Sequence, residues 1–228
     1  MSVLIFTGLI VASWPAIKDV INDVVAASGF GEPMTDLPQD EKQREQLQVV
    51  REVIVVENSE IFAGQKQTAR VEKLTFAKNN VRLTFRRNEY GSLQLEVEAI
   101  GITPAAARKI GREMIGRLAK KYAYDRLLAE MNVRGMHVMH EEIEDDQTIK
   151  LFVRNGNIMA KEEFEIEIRP DGKISVRTVG IKGEACVDAA KQFLEMLEGK
   201  LVSEEKTSEY YENESTSNTE VQNWNRWE

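Results

Sequence analysis

Residues 163–176, EFEIEIRPDGKISV, decide how this chain is read. Phe164, Ile166 and Ile168 alternate with Glu163, Glu165, Glu167 and Arg169. Pro170-Asp171-Gly172 is a turn, and Ile174 and Val176 alternate again beyond it. A period of two on both sides of a Gly-containing turn is a two-stranded hairpin with one apolar face. Behind it, residues 184–198 place Cys186, Ala190, Phe193, Leu194 and Leu197 on one helical stripe, and Gly199 suits the C-terminal cap. A last short strand leads into Thr207-Ser208-Glu209-Tyr210-Tyr211. The expected unit is a ββαβ module.

Working outward, the apolar run at residues 3–12 has no charged leader and no small-residue cleavage pattern. A membrane-spanning helix needs roughly 20 apolar residues, so residues 3–11 are expected to be a strand buried on both faces. Ser13 and Pro15 open a helix carrying Ile17, Val20, Ile21, Val24 and Val25, and Gly29 and Gly31 end it. Residues 33–44 are polar and read as a loop, and residues 49–56 as a strand. Three alternating segments follow, carrying Leu74 and Phe76, then Val81, Leu83 and Phe85, then Leu93, Leu95 and Val97. Asn79-Asn80 and residues 88–91 supply the turns of an antiparallel meander with one wet and one dry face.

Thr103 as N-cap and Pro104 at the first position open the longest helix, with Ile110, Met114, Leu118 and Tyr122 on its apolar stripe, helped by Ile115 and Ala119. Gly111 and Gly116 within it mark close approach to a sheet. Residues 136–143 and 148–153 form a hairpin around Asp145-Asp146-Gln147, and a linker begins at Gly156. The expectation is an α+β fold. Residues 1–155 form an antiparallel sheet covered by the helices of Ile17 and Ile110, residues 160–211 the ββαβ module, and residues 212–228 a flexible acidic tail. Residues 203–228 carry seven acids and two bases.

The 228 residues allow one large or two small domains, and 42% hydrophobic content supports a packed core. A net charge of −8 argues against nonspecific wrapping on nucleic acid or anionic lipid, although a local basic face could still act. Cys186, the only cysteine, makes no internal disulfide and no multi-cysteine metal site, and a reducing, cytoplasmic setting is expected. No cofactor, no metal and no membrane association are expected.

One local exception to the acidity stands out. Arg108, Lys109, Arg112, Arg117, Lys120, Lys121 and Arg126 crowd the longest helix against Glu113 and Asp125. Such a face meets an anionic partner, whether nucleic acid, an acidic protein surface or this chain's own tail, or is a solvated face whose long stems cover apolar surface. Trp224 and Trp227 in the polar tail are aromatic anchors suited to a partner groove. Arg108, Arg112, Lys120, Lys121, Trp224 and Trp227 are therefore the candidate partner-binding residues.

Other chemistry is thin. His137 and His140, an odd spacing on a strand, are expected on opposite faces, which separates them as ligands. The acidic turn of Glu141, Glu142, Glu144, Asp145 and Asp146 lacks the spacing of a calcium loop. Tyr122 falls on the apolar stripe, and Tyr124 lies off it. Cys186 on the apolar stripe reads as a small buried hydrophobe. No Gly-rich phosphate loop and no Ser-His-Asp arrangement is evident, so no catalytic residue is assigned.

Residues 164–211 resemble domain-of-unknown-function family 2997. Ile168-Arg169-Pro170-Asp171-Gly172, Gly180-Ile181-Lys182-Gly183-Glu184-Ala185-Cys186 and Lys206-Thr207-Ser208-Glu209-Tyr210 carry the resemblance. The preceding segment resembles domain-of-unknown-function family 1257, a plastid and cyanobacterial conserved reading frame. It does so through Lys121-Tyr122-Ala123-Tyr124 and the hairpin reaching Ile149-Lys150-Leu151, with Asp146-Gln147 where that family usually turns on a Gly. The resemblance implies no catalytic residue or cofactor. It implies partners of one another fused in one chain, in the company of AAA+ ATPases. The expected function is a non-enzymatic adaptor or accessory subunit binding a protein partner such as an AAA+ ATPase. The alternative is a nucleic-acid-binding module using the basic helix.

Overall fold

The computed structural model describes residues 2–7, 14–31, 42, 48–56, 73–88, 92–156, 163–181 and 185–206. Its elements in chain order are β1 (Ser2–Thr7), α1 (Trp14–Ala27), β2 (Val50–Val55), β3 (Lys73–Lys78), β4 (Val81–Arg87), β5 (Leu93–Ala99), α2 (Pro104–Val133), β6 (Met136–Ile143), β7 (Ile149–Asn155), β8 (Glu163–Ile168), β9 (Lys173–Val179), α3 (Ala185–Met196) and β10 (Lys200–Lys206). The fold is α+β, with three named helices and two antiparallel sheets among the described residues. The expected cap Ser13, most of the loop at 33–44 and the tail with Trp224 and Trp227 lie outside the described residues.

The smaller sheet has the order β2-β5-β4-β3. The alternation in each strand puts Leu83, Phe85, Leu95 and Val97 on one face, all buried. That face packs against Ile17, Ile21 and Val25 of α1 and Ala107, Met114 and Leu118 of α2. The two helices expected to cover this sheet do so.

The larger sheet has the order β10-β1-β9-β8-β7-β6. Its dry face carries Leu4, Phe6, Leu151, Phe164, Ile166, Ile168, Ile174 and Val176. The second half of α2 (Ala123, Leu127, Met131) and α3 (Ala190, Phe193, Met196) cover it. Phe164 meets Phe193 edge to face at 4.8 Å between ring centroids, an arrangement worth about 0.5–1.5 kcal/mol beyond area burial. This sheet runs across Gly156, because β7 pairs with β8.

β1 corrects one expectation. It lies between β9 and β10, antiparallel to both. Those two strands are therefore parallel to each other, and α3 is the crossover that parallel strands require. Leu4 and Phe6 are fully buried, whereas Val3 and Ile5 are only half-buried. The strand is not buried on both faces, because among the described residues no helix packs on the second face of this sheet.

α2 holds the two sheets together. Thr103 caps it, its hydroxyl accepting from the Ala106 amide at 3.2 Å, and Pro104 opens it as the sequence predicts. Its 30 residues extend about 45 Å, enough to serve both cores. Midway, the β8–β9 turn docks against it. A Cβ on Gly116 would stand 2.6 Å from the Pro170 carbonyl oxygen, and one on Gly172 would stand 2.5 Å from the Ala119 Cβ. Gly172 has φ +82°, which a side chain would also strain.

Candidate interaction surface

The basic residues of α2 do not form one stripe. At 100° per residue, Arg108, Arg112, Lys120 and Lys121 spread through about 220° of the helix circumference. Most are already engaged. Arg108 Nε lies 3.1 Å from Glu52 on β2. Lys121 Nζ lies 2.5 Å from Asp125 one turn on. Lys120 donates to the Gln147 carbonyl at 2.8 Å, and burial, then the charge of Arg117, pulls its ammonium below its ordinary pKa. Arg117 donates to the Ser28 hydroxyl at 2.9 Å, and Arg126 pairs with Glu198 at 2.7 Å. Arg112 is exposed and has no partner among the described residues. Ion pairs and hydrogen bonds within this chain engage much of this charge. Tyr122 is half-buried against the core of the smaller sheet. Tyr124, off that stripe, is half-buried on the other core and donates to Glu141 at 2.9 Å. Burial, then that carboxylate, pushes its phenol up to about 12.

The open face of the larger sheet is a ladder of cross-strand ion pairs. Arg154 meets Glu163 at 2.5 Å, Arg177 meets Glu165 at 3.6 Å, and Lys150 meets Glu167 at 3.6 Å and Glu144 at 2.8 Å. The alternating glutamates of the opening motif therefore face solvent, each matched by a base on a neighbouring strand.

The histidines need a correction. His137 pairs with Arg154 and His140 with Phe152, across an irregularity between Val138 and His140. Arg154 and Phe152 are two apart on β7 and share a face. Both histidines therefore lie on the open face, not on opposite ones. The bulge at Met139 inserts one residue and restores the parity that spacing alone denies. Among the described residues no group of three or more His, Cys, Asp and Glu side chains could hold a metal ion. In the acidic turn, Asp146 accepts the Thr148 amide at 2.8 Å, which lowers its pKa below the usual carboxylate value. Cys186 is fully buried at the start of α3.

On the smaller sheet the open face carries an arrangement that periodicity did not reveal. Glu96 and Glu98 of β5, only 7% and 6% exposed, sit between arginines from both neighbours. Arg51 of β2 reaches Glu96 at 2.5 Å, Arg86 of β4 reaches it at 3.6 Å, and Arg82 reaches Glu98 at 3.4 Å. The register pairs Glu98 with both Arg51 and Arg82 and makes Arg86 a near neighbour of Glu96. The signal was in the sequence as alternating acids and bases, but only strand order showed that they interlock. Each buried carboxylate is met by a guanidinium, which suits a structural clamp and not proton transfer.

The sheet edges differ. β6 carries the bulge at Met139, and β10 a register shift opposite Ile5 and Phe6. β3 is flanked by Lys73 and Lys78 and bridged by Gly31 at Ala77. Among the described residues β2 has no bulge, register shift or bridge. It pairs regularly with β5 over six residues and exposes Val53 at 46% and Val55 at 48%.

No helix of the described residues is long and apolar enough to cross a membrane. No curated protein matches the chain. Residues 164–211, the segment that builds β8, β9, α3 and β10, match the model of a family described as a protein of unknown function, DUF2997.

Proposed function

We propose that the chain is a non-enzymatic adaptor or accessory subunit that binds a protein partner. One observation carries this reading. Of the eight large hydrophobic residues exposed among the described residues, six lie on edge strands: Val53 and Val55 on β2, Met139 and Ile143 on β6, Leu201 and Val202 on β10. Edge strands offer unpaired backbone groups, and aliphatic side chains beside them are the usual material of a protein contact. The resemblance to families 2997 and 1257 adds an AAA+ ATPase as the partner to seek, and the single cysteine, Cys186, adds a reducing cytoplasm as the setting. The basic helix supports the alternative, nucleic-acid binding, less well. Lys120 and Lys121 are committed to internal partners and Arg108 spends one contact on Glu52, which leaves Arg112 as the one of the four without a partner among the described residues.

The test is affinity purification of the tagged full-length chain from native lysate. A single protein retained near one-to-one supports the adaptor. Recovery of this chain alone would end that reading. Retention on heparin that falls steeply with salt, and is abolished by charge reversal at Arg112 and Lys120, would favour the alternative.

A further inference from the structure

We propose that β2 is the docking edge, and that its occupant is an extended segment of a partner protein, rich in acidic and aliphatic residues, which adds a fifth strand to the smaller sheet. This rests on the reading of the chain as a partner-binding adaptor and names the surface it uses.

The argument begins with protection. A free edge invites pairing with another chain, and proteins blunt edges with bulges, end charges or covering segments. The edges at β3, β6 and β10 each carry such a device. Among the described residues the β2 edge carries no bulge, register shift or bridge, and its own charges, Arg51 and Glu52, are each paired within this chain. Its register is unbroken from Val50 to Val55, so the strand is regular enough to template a neighbour. Val53 and Val55 project on the open face beside that edge, half-exposed, two residues apart, as an added strand's alternating side chains would require.

Charge chooses the occupant. Arg51, with 55% of its side chain exposed, stands at the start of the edge on the open face. Arg108, 53% exposed, stands over Glu52 on the helix side. Arg112, one turn along α2, is exposed and unpaired among the described residues. Arg51 and Arg108 each spend one contact on a carboxylate of this chain and keep donors to spare. A second copy joined edge to edge would bring the same arginines toward each other, and repulsion disfavours it. An acidic strand places carboxylates among them instead, with aliphatic residues over Val53 and Val55.

The probe is a fluorescein-labelled peptide of alternating valine and glutamate, seven residues long, with a valine–lysine peptide as control. Both are titrated against the full-length protein by anisotropy, with hydrogen exchange read at residues 50–55. The valine–glutamate peptide should bind, protect those amides and weaken with salt, and the lysine peptide should not bind. Val53→Lys with Val55→Lys should reduce affinity at least tenfold, while thermal melting shows the fold intact. Arg112→Glu, which leaves the edge untouched, should reduce it several-fold.

Several results would overturn the proposal: no binding, equal binding of both peptides, or protection confined to β6 or β10. Amides at 50–55 already protected in the free monomer would mean that this chain closes its own edge. A concentration-dependent dimer abolished by Val53→Lys would make the occupant a second copy. The two readings also fail separately. A co-purifying protein indifferent to Val53→Lys keeps the adaptor and sinks the edge. Peptide binding with no co-purifying protein does the reverse.

Discussion

The two sheets share a helix and solve the problem of their second face differently. The larger sheet spreads its charges along β7, β8 and β9 as solvent-facing pairs, with Glu163, Glu165 and Glu167 each opposite a base. Exposed pairs of this kind are worth about 0–1 kcal/mol each. The smaller sheet gathers its charges on β5, where Glu96 and Glu98 are buried between arginines. In the Arg82–Glu98 pair both side chains are largely buried, 14% and 8% exposed, and removing one partner of such a pair typically costs about 3–5 kcal/mol, because the other charge is left unmatched. The larger sheet also bulges both its edges, whereas the smaller leaves β2 flat. Similar residue types thus give a tolerant surface in one region and a fixed, directional one in the other.

The sharpest way to break this comparison is to empty each core in turn. Phe85→Ala in the smaller sheet and Phe164→Ala in the larger should each cost about 3–5 kcal/mol, since both rings are buried. Because α2 contributes Met114 and Leu118 to one core and Leu127 and Met131 to the other, both variants should lower one shared thermal transition in calorimetry. Two separate transitions would show that the sheets are independently stable.

The glycines of α2 test how each sheet meets the shared helix. A Cβ on Gly116 would meet the Pro170 carbonyl at 2.6 Å, and backbone cannot swing aside. On Gly111 it would meet the Ile54 Cδ1 at 2.1 Å, the end of a mobile side chain. Overpacking costs about 1–3 kcal/mol, and helix propensity returns about 1 kcal/mol. Gly116→Ala should therefore destabilise by about 1–2 kcal/mol, and Gly111→Ala by less, in denaturant melts. The reverse ranking would mean that the β8–β9 turn is not seated on the helix.

Two smaller effects concern the larger sheet alone. Gln147 turns the β6–β7 hairpin with φ +71°, a left-handed conformation. Both its backbone contacts, to Glu144 and from Lys120, survive truncation to glycine. Gln147→Gly should relieve strain worth about 1 kcal/mol, partly offset by the unfolded chain's added freedom, and raise the melting temperature slightly. Tyr124 titrates at about 12 in the folded protein against about 10 in an unfolded chain. Below pH 10 both states keep the proton and stability is full. As pH rises from about 10 to 12, the unfolded state releases it first and stability falls. The tyrosinate absorbance of the wild type minus that of Tyr124→Phe should show a midpoint near 12. A midpoint near 10 would place the phenol in open water, away from Glu141.

Much of the fold was legible because local rules agree with tertiary packing in particular places. The alternation in residues 163–176 became β8 and β9, with Phe164, Ile166 and Ile168 on the core. Thr103 and Pro104 started the long helix where their chemistry says a helix starts. The site was less legible. Spacing alone puts His137 and His140 on opposite faces, and the bulge between Val138 and His140 reverses that parity without any residue that announces it. The basic helix looked like a face because counting bases along a sequence ignores where 100° per residue sends them. The Glu96 and Glu98 clamp is not legible locally, because two of its three arginines, Arg51 and Arg82, lie 45 and 16 residues away from the carboxylates they meet.

By itself the sequence determined the period of each segment, its turns and caps, and which side of each strand and helix is oily. These follow from backbone geometry and from the chemistry of neighbouring residues. Tertiary structure alone decided that β1 slips between β9 and β10, that one helix serves both cores, and that β2 is left as the flat edge. Strand partners are chosen by packing between residues far apart in the chain, and no local pattern encodes that choice.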